Sequence, residues 1–223
     1  MDQHPTFNFD SGEPPQPRNI LPLDGEAIDY GVVFGREEVG SLLNYLLREI
    51  PWQHDEAIMF GKHIVTARRV AWFGDRSYDY TYSGRTRTAM IWTPELLEIK
   101  QVVEEISGGS YNSCLLNLYD DGSQGMGWHS DDEKELGRNS TIASVSFGAA
   151  RRFDFRHKIT REKVSLILEP GSLLVMGGST QQNWQHQIPK TAKVTMPRVN
   201  LTFRMMVGDK PQTGDQGKSG TIR

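Results

Sequence analysis

From Cys114 to Val207 the apolar residues fall into short runs, CLLNLY, TIASVSF, RRFDFR, KVSLIL, SLLVMG, NWQHQI and VNLTFRMMV, separated by turn residues. That cadence limits the fold more than any other feature of the chain. Phe153 and Phe155 interleave with Arg152, Asp154 and Arg156, and Val164, Leu166 and Leu168 share one parity, which is the period of half-buried strands. Two helices precede the runs. Val39, Leu42, Leu43, Leu46 and Ile50 keep the three-and-four spacing of one apolar helix face, and Pro51 stops it. The second helix has Thr93 as cap, Pro94 at its first position, a stripe of Leu96, Ile99, Val103 and Ile106, and Gly108-Gly109 at its end. The stretch between them reads as irregular. Many short strands after helices, with no strand-helix alternation, predict a mainly β fold of the α+β class, a β-sandwich or jelly roll with flanking helices.

With 223 residues, 37% hydrophobic, the chain can bury one substantial core and is short for two. Residues 1–25, rich in proline, read as a flexible arm, 26–208 as one domain and 209–223 as a disordered tail. No apolar run approaches the ~18 residues of a membrane span, and the amino terminus lacks the basic and apolar regions of a signal peptide. A cytoplasmic monomer is expected. The single Cys114 excludes an internal disulfide and a cysteine-based zinc cluster. A formal charge of −3 argues against indiscriminate binding of polyanions. Contact with nucleic acid would need a local patch, and ARRFDFRHKITREK (150–163) offers one.

The chemistry centres on GMGWHSDDE (125–133). In an extended segment residues i and i+2 point the same way, so His129 and Asp131 project together while Ser130 turns away. His186, 55 residues after Asp131, is the candidate to complete the two-histidine, one-carboxylate face of non-haem iron(II) oxygenases, which leaves coordination positions open for co-substrate and O2. Taken alone, such a pair is more often an exposed, hydrated turn. In PRVNLTFR (197–204), Val199, Leu201 and Phe203 can face the core, leaving Arg198, Asn200, Thr202 and Arg204 on the other side. Arginines turned inward are costly unless they meet anions, and a dicarboxylate such as 2-oxoglutarate would satisfy both. Asn117 and Tyr119 share a face and could bond its oxygens. The plain alternative is an ordinary sheet whose arginines pair with nearby acids.

Taken together, NLYDDGSQGMGWHSDDE, NWQHQIPK and PRVNLTFR resemble the AlkB family of iron(II)- and 2-oxoglutarate-dependent dioxygenases, over about residues 60–204. The resemblance implies a double-stranded β-helix core (about 113–207) with an N-terminal nucleotide-recognition lid (about 55–92). It implies iron at His129, Asp131 and His186, and 2-oxoglutarate at Asn117, Tyr119, Arg198 and Arg204. Arg198 would take the distal carboxylate and Arg204 the one near the metal, with Asn200 in support. The implied reaction is oxidative demethylation of bases such as 1-methyladenine and 3-methylcytosine in alkylated DNA, single or double stranded, and RNA is a further candidate polymer. It consumes O2 and yields succinate, CO2 and formaldehyde. The lid segment implies a base pocket at Tyr80, Tyr82 and Ser83, a phosphate contact at Arg68, and a wedge at Phe60, which reads equally well as a core residue of a strand. Trp128 is expected as core or pocket wall. Asp132 and Glu133 would lie near the base, where a carboxylate suits a cationic lesion. WHSDDE and RVNLTFR look closest to the single-strand and RNA branch, MFGK and YTYSG to the duplex-DNA branch. Two other readings stay open: an oxygenase acting on a protein, lipid or small molecule, and a nucleic-acid-binding module with a silent site.

Overall fold

The computed structural model describes residues 16–59, 62–77, 79–82, 85–137 and 139–207. In chain order the elements are β1 (Arg18–Asn19), β2 (Glu26–Val32), α1 (Arg36–Glu49), β3 (Gln53–Met59), β4 (Lys62–Gly74), β5 (Asp79–Tyr82), β6 (Arg85–Thr88), β7 (Met90–Ile91), α2 (Pro94–Ser107), β8 (Ser113–Tyr119), β9 (Met126–His129), β10 (Ile142–Gly148), β11 (Arg151–His157), β12 (Lys163–Leu168), β13 (Ser172–Gly177), α3 (Thr180–Asn183), β14 (Trp184–Ile188) and β15 (Arg198–Arg204).

Two sheets carry the site. The larger has the order β1-β2-β13-β10-β15-β8-β4-β3, with β7 paired to β4; the smaller is β12-β11-β14-β9. Strand parity decides what each face of the large sheet meets. Val145 of β10, Leu173 and Val175 of β13, and Val199, Leu201 and Phe203 of β15 pack in one cluster with Leu46 of α1 and with Leu96 and Ile99 of α2. Val199, Leu201 and Phe203 have no exposed surface, and each such burial contributes about 1.5–3 kcal/mol. The opposite parity faces the small sheet, where Ile142, Leu174 and Met176 pack with Phe153, Phe155, Trp184 and Ile188. The polar side chains of β15 open into that second layer, between the sheets of a jelly roll.

Both helices form as their sequences dictate. Thr93 caps α2 by accepting the Leu96 N–H at 3.3 Å, and Gly108 closes it in the left-handed conformation, φ 66°.

Three expectations need correction. Residues 53–91 are largely strand, and β4 pairs with β8 in the large sheet. Part of the expected lid is therefore continuous with the core sheet. Its alternation is hard to see because β3 (QHDEAIM) carries few apolar residues. Secondly, the arm is not free over its whole length: β1 pairs with β2, Leu21 is buried, and the Leu23 carbonyl accepts from Trp184 Nε1 at 3.0 Å. Thirdly, Arg151 and His157 of the basic stretch are buried. Arg151 donates to the carbonyls of Asp121, Gln124 and Pro189, and His157 packs edge-on against Trp184 with Nδ1 accepting from the Thr160 N–H. The 209–223 tail lies outside the described residues.

Candidate metal and co-substrate site

His129 ends β9 and His186 sits inside β14, directly across the ladder from it. Gly125 allows that approach, because a Cβ there would lie 2.4 Å from the Ile188 carbonyl oxygen. One ligand atom each from His129, Asp131 and His186 fall within 4.8 Å of one another. Each is oriented by a neighbour. His129 Nδ1 donates to the Gly127 carbonyl at 2.8 Å, which leaves Nε2, 3.8 Å from Asp131 Oδ1, facing the common point. Arg204 Nη2 holds Asp131 Oδ2 at 2.9 Å, so Oδ1 is the oxygen turned towards the histidines. The Asp131 N–H donates to Gln181 Oε1 at 2.9 Å. His186 stacks on Phe153, ring centroids 5.3 Å apart, and Ser130 turns away to the Trp184 carbonyl.

The electrostatics suit a divalent cation. Burial alone pushes the Asp131 carboxyl up, but Arg204 and the two imidazoles outweigh it and hold it at about 2. Burial, then His129, pushes His186 down to about 3. An ionised carboxylate beside a neutral imidazole is the protonation state that ligation needs.

These groups line a cavity of about 240 Å³. Asn117, Tyr119, Asn200, Thr202 and Arg204 form one wall and Asp132 and Glu133 another side; Asp55 and Arg68 also line it. Arg198, 1% exposed, lies beneath Tyr119, with its guanidinium carbon 5.6 Å from the ring centroid. It donates to Ser146 Oγ at 2.9 Å, while Nε and Nη1 are buried without partners. Burial lowers its pKa to about 10, against the pull of Tyr119. A sealed cation with unmet donors is what a carboxylate would complete. Asn200 donates to Ser144 Oγ and the Val145 carbonyl and accepts from Thr202, so it stiffens the wall.

The remaining predicted residues fare differently. Trp128 is not a pocket wall. It lies on the other side of β9 under Arg156, 4.2 Å from the ring centroid. Arg68 is not an exposed phosphate contact, since it pairs with Asp55 inside the cavity wall. Arg69 pairs with Asp120. Glu133 is half-buried, Oε2 has no partner, and burial pushes its carboxyl up against the pull of Arg204. Tyr80 and Tyr82 lie two residues apart on β5, in a separate hairpin with β6; their side chains, Phe60 and Ser83 lie outside the described residues. Sequence reasoning missed Gln181, Ser146 and Asp55, which act through contacts 13 to 52 residues away in the chain.

Residues 31–204 match the profile of the 2OG-Fe(II) oxygenase superfamily. The chain is 40% identical over 201 residues to the Mus musculus protein named DNA oxidative demethylase ALKBH2, covering 85% of this chain and 84% of that one. It is also 40% identical over 183 residues to the Bos taurus protein named alpha-ketoglutarate-dependent dioxygenase alkB homolog 3, covering 78% of this chain and 63% of that one. The solved structure of OsALKBH1 superposes with a TM-score of 0.57 at 14% identity, over 80% of this chain and 97% of that one, which supports the fold. The site and these likenesses first define an oxygenase that uses iron(II), 2-oxoglutarate and O2. Within that superfamily, the chain belongs to the AlkB family.

Proposed function

We propose that this protein oxidatively demethylates N-alkylated bases, such as 1-methyladenine and 3-methylcytosine, in DNA. The observation that carries this reading is one cavity in which His129, Asp131 and His186 converge beside Arg204 and the half-buried carboxylate of Glu133. The names of the relatives, DNA oxidative demethylase among them, support the substrate class. The three candidate ligands come from one chain, which is consistent with a working monomer.

His129, Asp131 and His186 would hold iron(II). Bound there with 2-oxoglutarate and O2, the metal supplies the two-electron oxidation of an N-methyl C–H bond, with succinate and CO2 as co-products and formaldehyde leaving the base. The chain's own task is orientation and charge control. Arg198 would meet the distal carboxylate with Nε and Nη1, Asn117 and Tyr119 would bond it from β8, and Arg204 would meet the carboxylate nearer the metal. Arg204 also fixes Asp131 so that only Oδ1 faces the ligand position. Glu133, at the cavity side, would face the cationic lesion, whose charge in turn favours its ionised form.

The test is anaerobic loading with iron(II) and 2-oxoglutarate, then O2 and matched oligonucleotides carrying 3-methylcytosine or 1-methyladenine. Single-stranded DNA, duplex DNA and RNA are compared, with base mass and succinate read together. Loss of one methylene mass per lesion, matched by succinate, supports the reading and ranks the polymers. Succinate unaffected by any methylated oligonucleotide would overturn it in favour of another substrate class.

A further inference from the structure

Arg68 lies on β4 two residues from Val70, whose cross-strand partner on β8 is Asn117. Side chains two apart on a strand share a face, so Arg68 reaches Asn117 directly. Its Nη1 donates to Asn117 Oδ1 at 3.0 Å and to Met126 Sδ at 3.3 Å, and Nη2 pairs with Asp55. Its charge also interacts with the Tyr119 side chain. The Arg68 and Asp55 side chains are 13% and 14% exposed, and both line the cavity.

A guanidinium can only donate. The Asn117 amide must therefore turn its oxygen to Arg68, which leaves the two Nδ2–H donors for an anion. An Asn free to flip would present an oxygen to that anion half the time. Asp55 pins the planar fork of Arg68 and balances its charge, so Arg68 can orient the amide without adding another uncompensated cation beside Arg198.

We propose that Arg68, pinned by Asp55, is a positioning residue for 2-oxoglutarate, fixing the Asn117 amide with its N–H donors toward the co-substrate carboxylate. This rests on the reading above that Asn117 and Arg198 hold 2-oxoglutarate. It replaces the phosphate contact expected from the sequence and makes a wall residue of the nucleotide-recognition segment part of the co-substrate pocket.

The test is calorimetric binding of 2-oxoglutarate to the full chain loaded with Mn(II), which binds without turnover. Arg68→Met should weaken 2-oxoglutarate about 10-fold, the loss expected for a charge-assisted contact, with Mn(II) affinity unchanged. Asn117→Ala should cost a similar factor, and the double variant should be no worse than either single, because the two act as one unit. Arg68→Lys, which keeps charge but not the fork, should fall between. In turnover, the KM for 2-oxoglutarate should rise while kcat at saturation and the KM for the methylated oligonucleotide hold. If Arg68→Met fails to fold because Asp55 is stranded, Arg68→Met with Asp55→Asn removes both charges and should show the same loss. Unchanged 2-oxoglutarate affinity with a raised oligonucleotide KM would overturn the role and make Arg68 a substrate contact. Additive losses with Asn117→Ala would overturn it too. If Asn117→Ala and Arg198→Met themselves leave 2-oxoglutarate affinity intact, the co-substrate assignment fails and the role of Arg68 with it.

Discussion

Arg151 and Arg198 flank the same ring, with guanidinium carbons 5.9 Å and 5.6 Å from the Tyr119 centroid, and they are buried almost equally, at 2% and 1% exposure. Their bonding differs. Arg151 makes three bonds to main-chain carbonyls of the 121–124 loop and Pro189 and leaves only Nε unmet. Arg198 makes one bond, to Ser146, and leaves Nε and Nη1 unmet. A buried cation tied to backbone carbonyls belongs to the architecture, whereas one with donors in reserve awaits an anion. The imidazoles divide by what surrounds them. His157 is buried against Trp184 and accepts from Thr160, while His186 faces His129 and Asp131.

The largest expected effect falls on the imidazole side of this contrast. His186→Ala should abolish formaldehyde and succinate release while the unfolding transition without metal stays cooperative. Stabilisation by Mn(II), about 2.7 kcal/mol at 100 times the wild-type Kd, should vanish in a thermal scan. Normal turnover by this variant would sink the metal assignment.

Next come the two arginines, which should fail in opposite ways. Arg198→Met should raise the KM for 2-oxoglutarate roughly 10- to 100-fold, from the ~1.5–3 kcal/mol of a charge-assisted bond, with Tm unchanged or higher because a costly buried charge is gone. Arg151→Met should lower stability by about 2–4 kcal/mol, seen as a Tm drop of several degrees, with the KM for 2-oxoglutarate little changed. Steady-state kinetics and calorimetry on the pair decide it; equal Tm losses for both would erase the distinction.

A further effect is expected on metal-free stability as pH falls. His186 titrates near 6.5 unfolded and about 3 folded, so the unfolded state binds more protons between those values. Stability should decline as pH drops from about 6.5 to about 3. Asp131, held at about 2 against 3.8 unfolded, contributes stability above the higher value that is lost as pH falls through the lower. The His186→Ala variant should lose the upper slope and keep the lower one in urea midpoints measured with a chelator. A wild-type midpoint flat from neutrality to pH 3 would contradict the depressed His186.

The contrast also explains what the sequence made legible. His129-x-Asp131 and the alternation of Arg198, Asn200, Thr202 and Arg204 against Val199, Leu201 and Phe203 are period-2 facts, local to one strand, and the large sheet preserves them. Position along a strand cannot distinguish an arginine with spare donors, Arg198 on β15, from a satisfied one, Arg151 on β11, because the 121–124 loop and Pro189 that close on Arg151 come from elsewhere in the chain. Arg68 read as a phosphate contact for the same reason: its partners Asp55 and Asn117 are 13 and 49 residues away. Strands β3 and β4 were hidden because apolar alternation marks only strands with one strongly buried face, and β3 lies at the sheet edge.

Glu133 tests whether the same rule holds for acids. Its Oε2 is buried without a partner, as Arg198 is on the cationic side, and burial raises its pKa although Arg204 pulls it down. A carboxylate in that condition should bind a cationic base better than a neutral one. Glu133→Gln should therefore lower kcat/KM for 3-methylcytosine about 5-fold, a loss near 1 kcal/mol once solvent screening is allowed for. A neutral lesion such as 3-methylthymine should be nearly unaffected. The pH profile gives the sign independently: ionised Glu133 is the useful form, so wild-type kcat/KM for the cationic lesion should rise as pH climbs through its elevated pKa. The glutamine variant should lose that limb alone. Equal losses on both lesions, with the limb retained, would make Glu133 a packing residue, and an unmet buried oxygen would then not mark a ligand contact as an unmet buried guanidinium does.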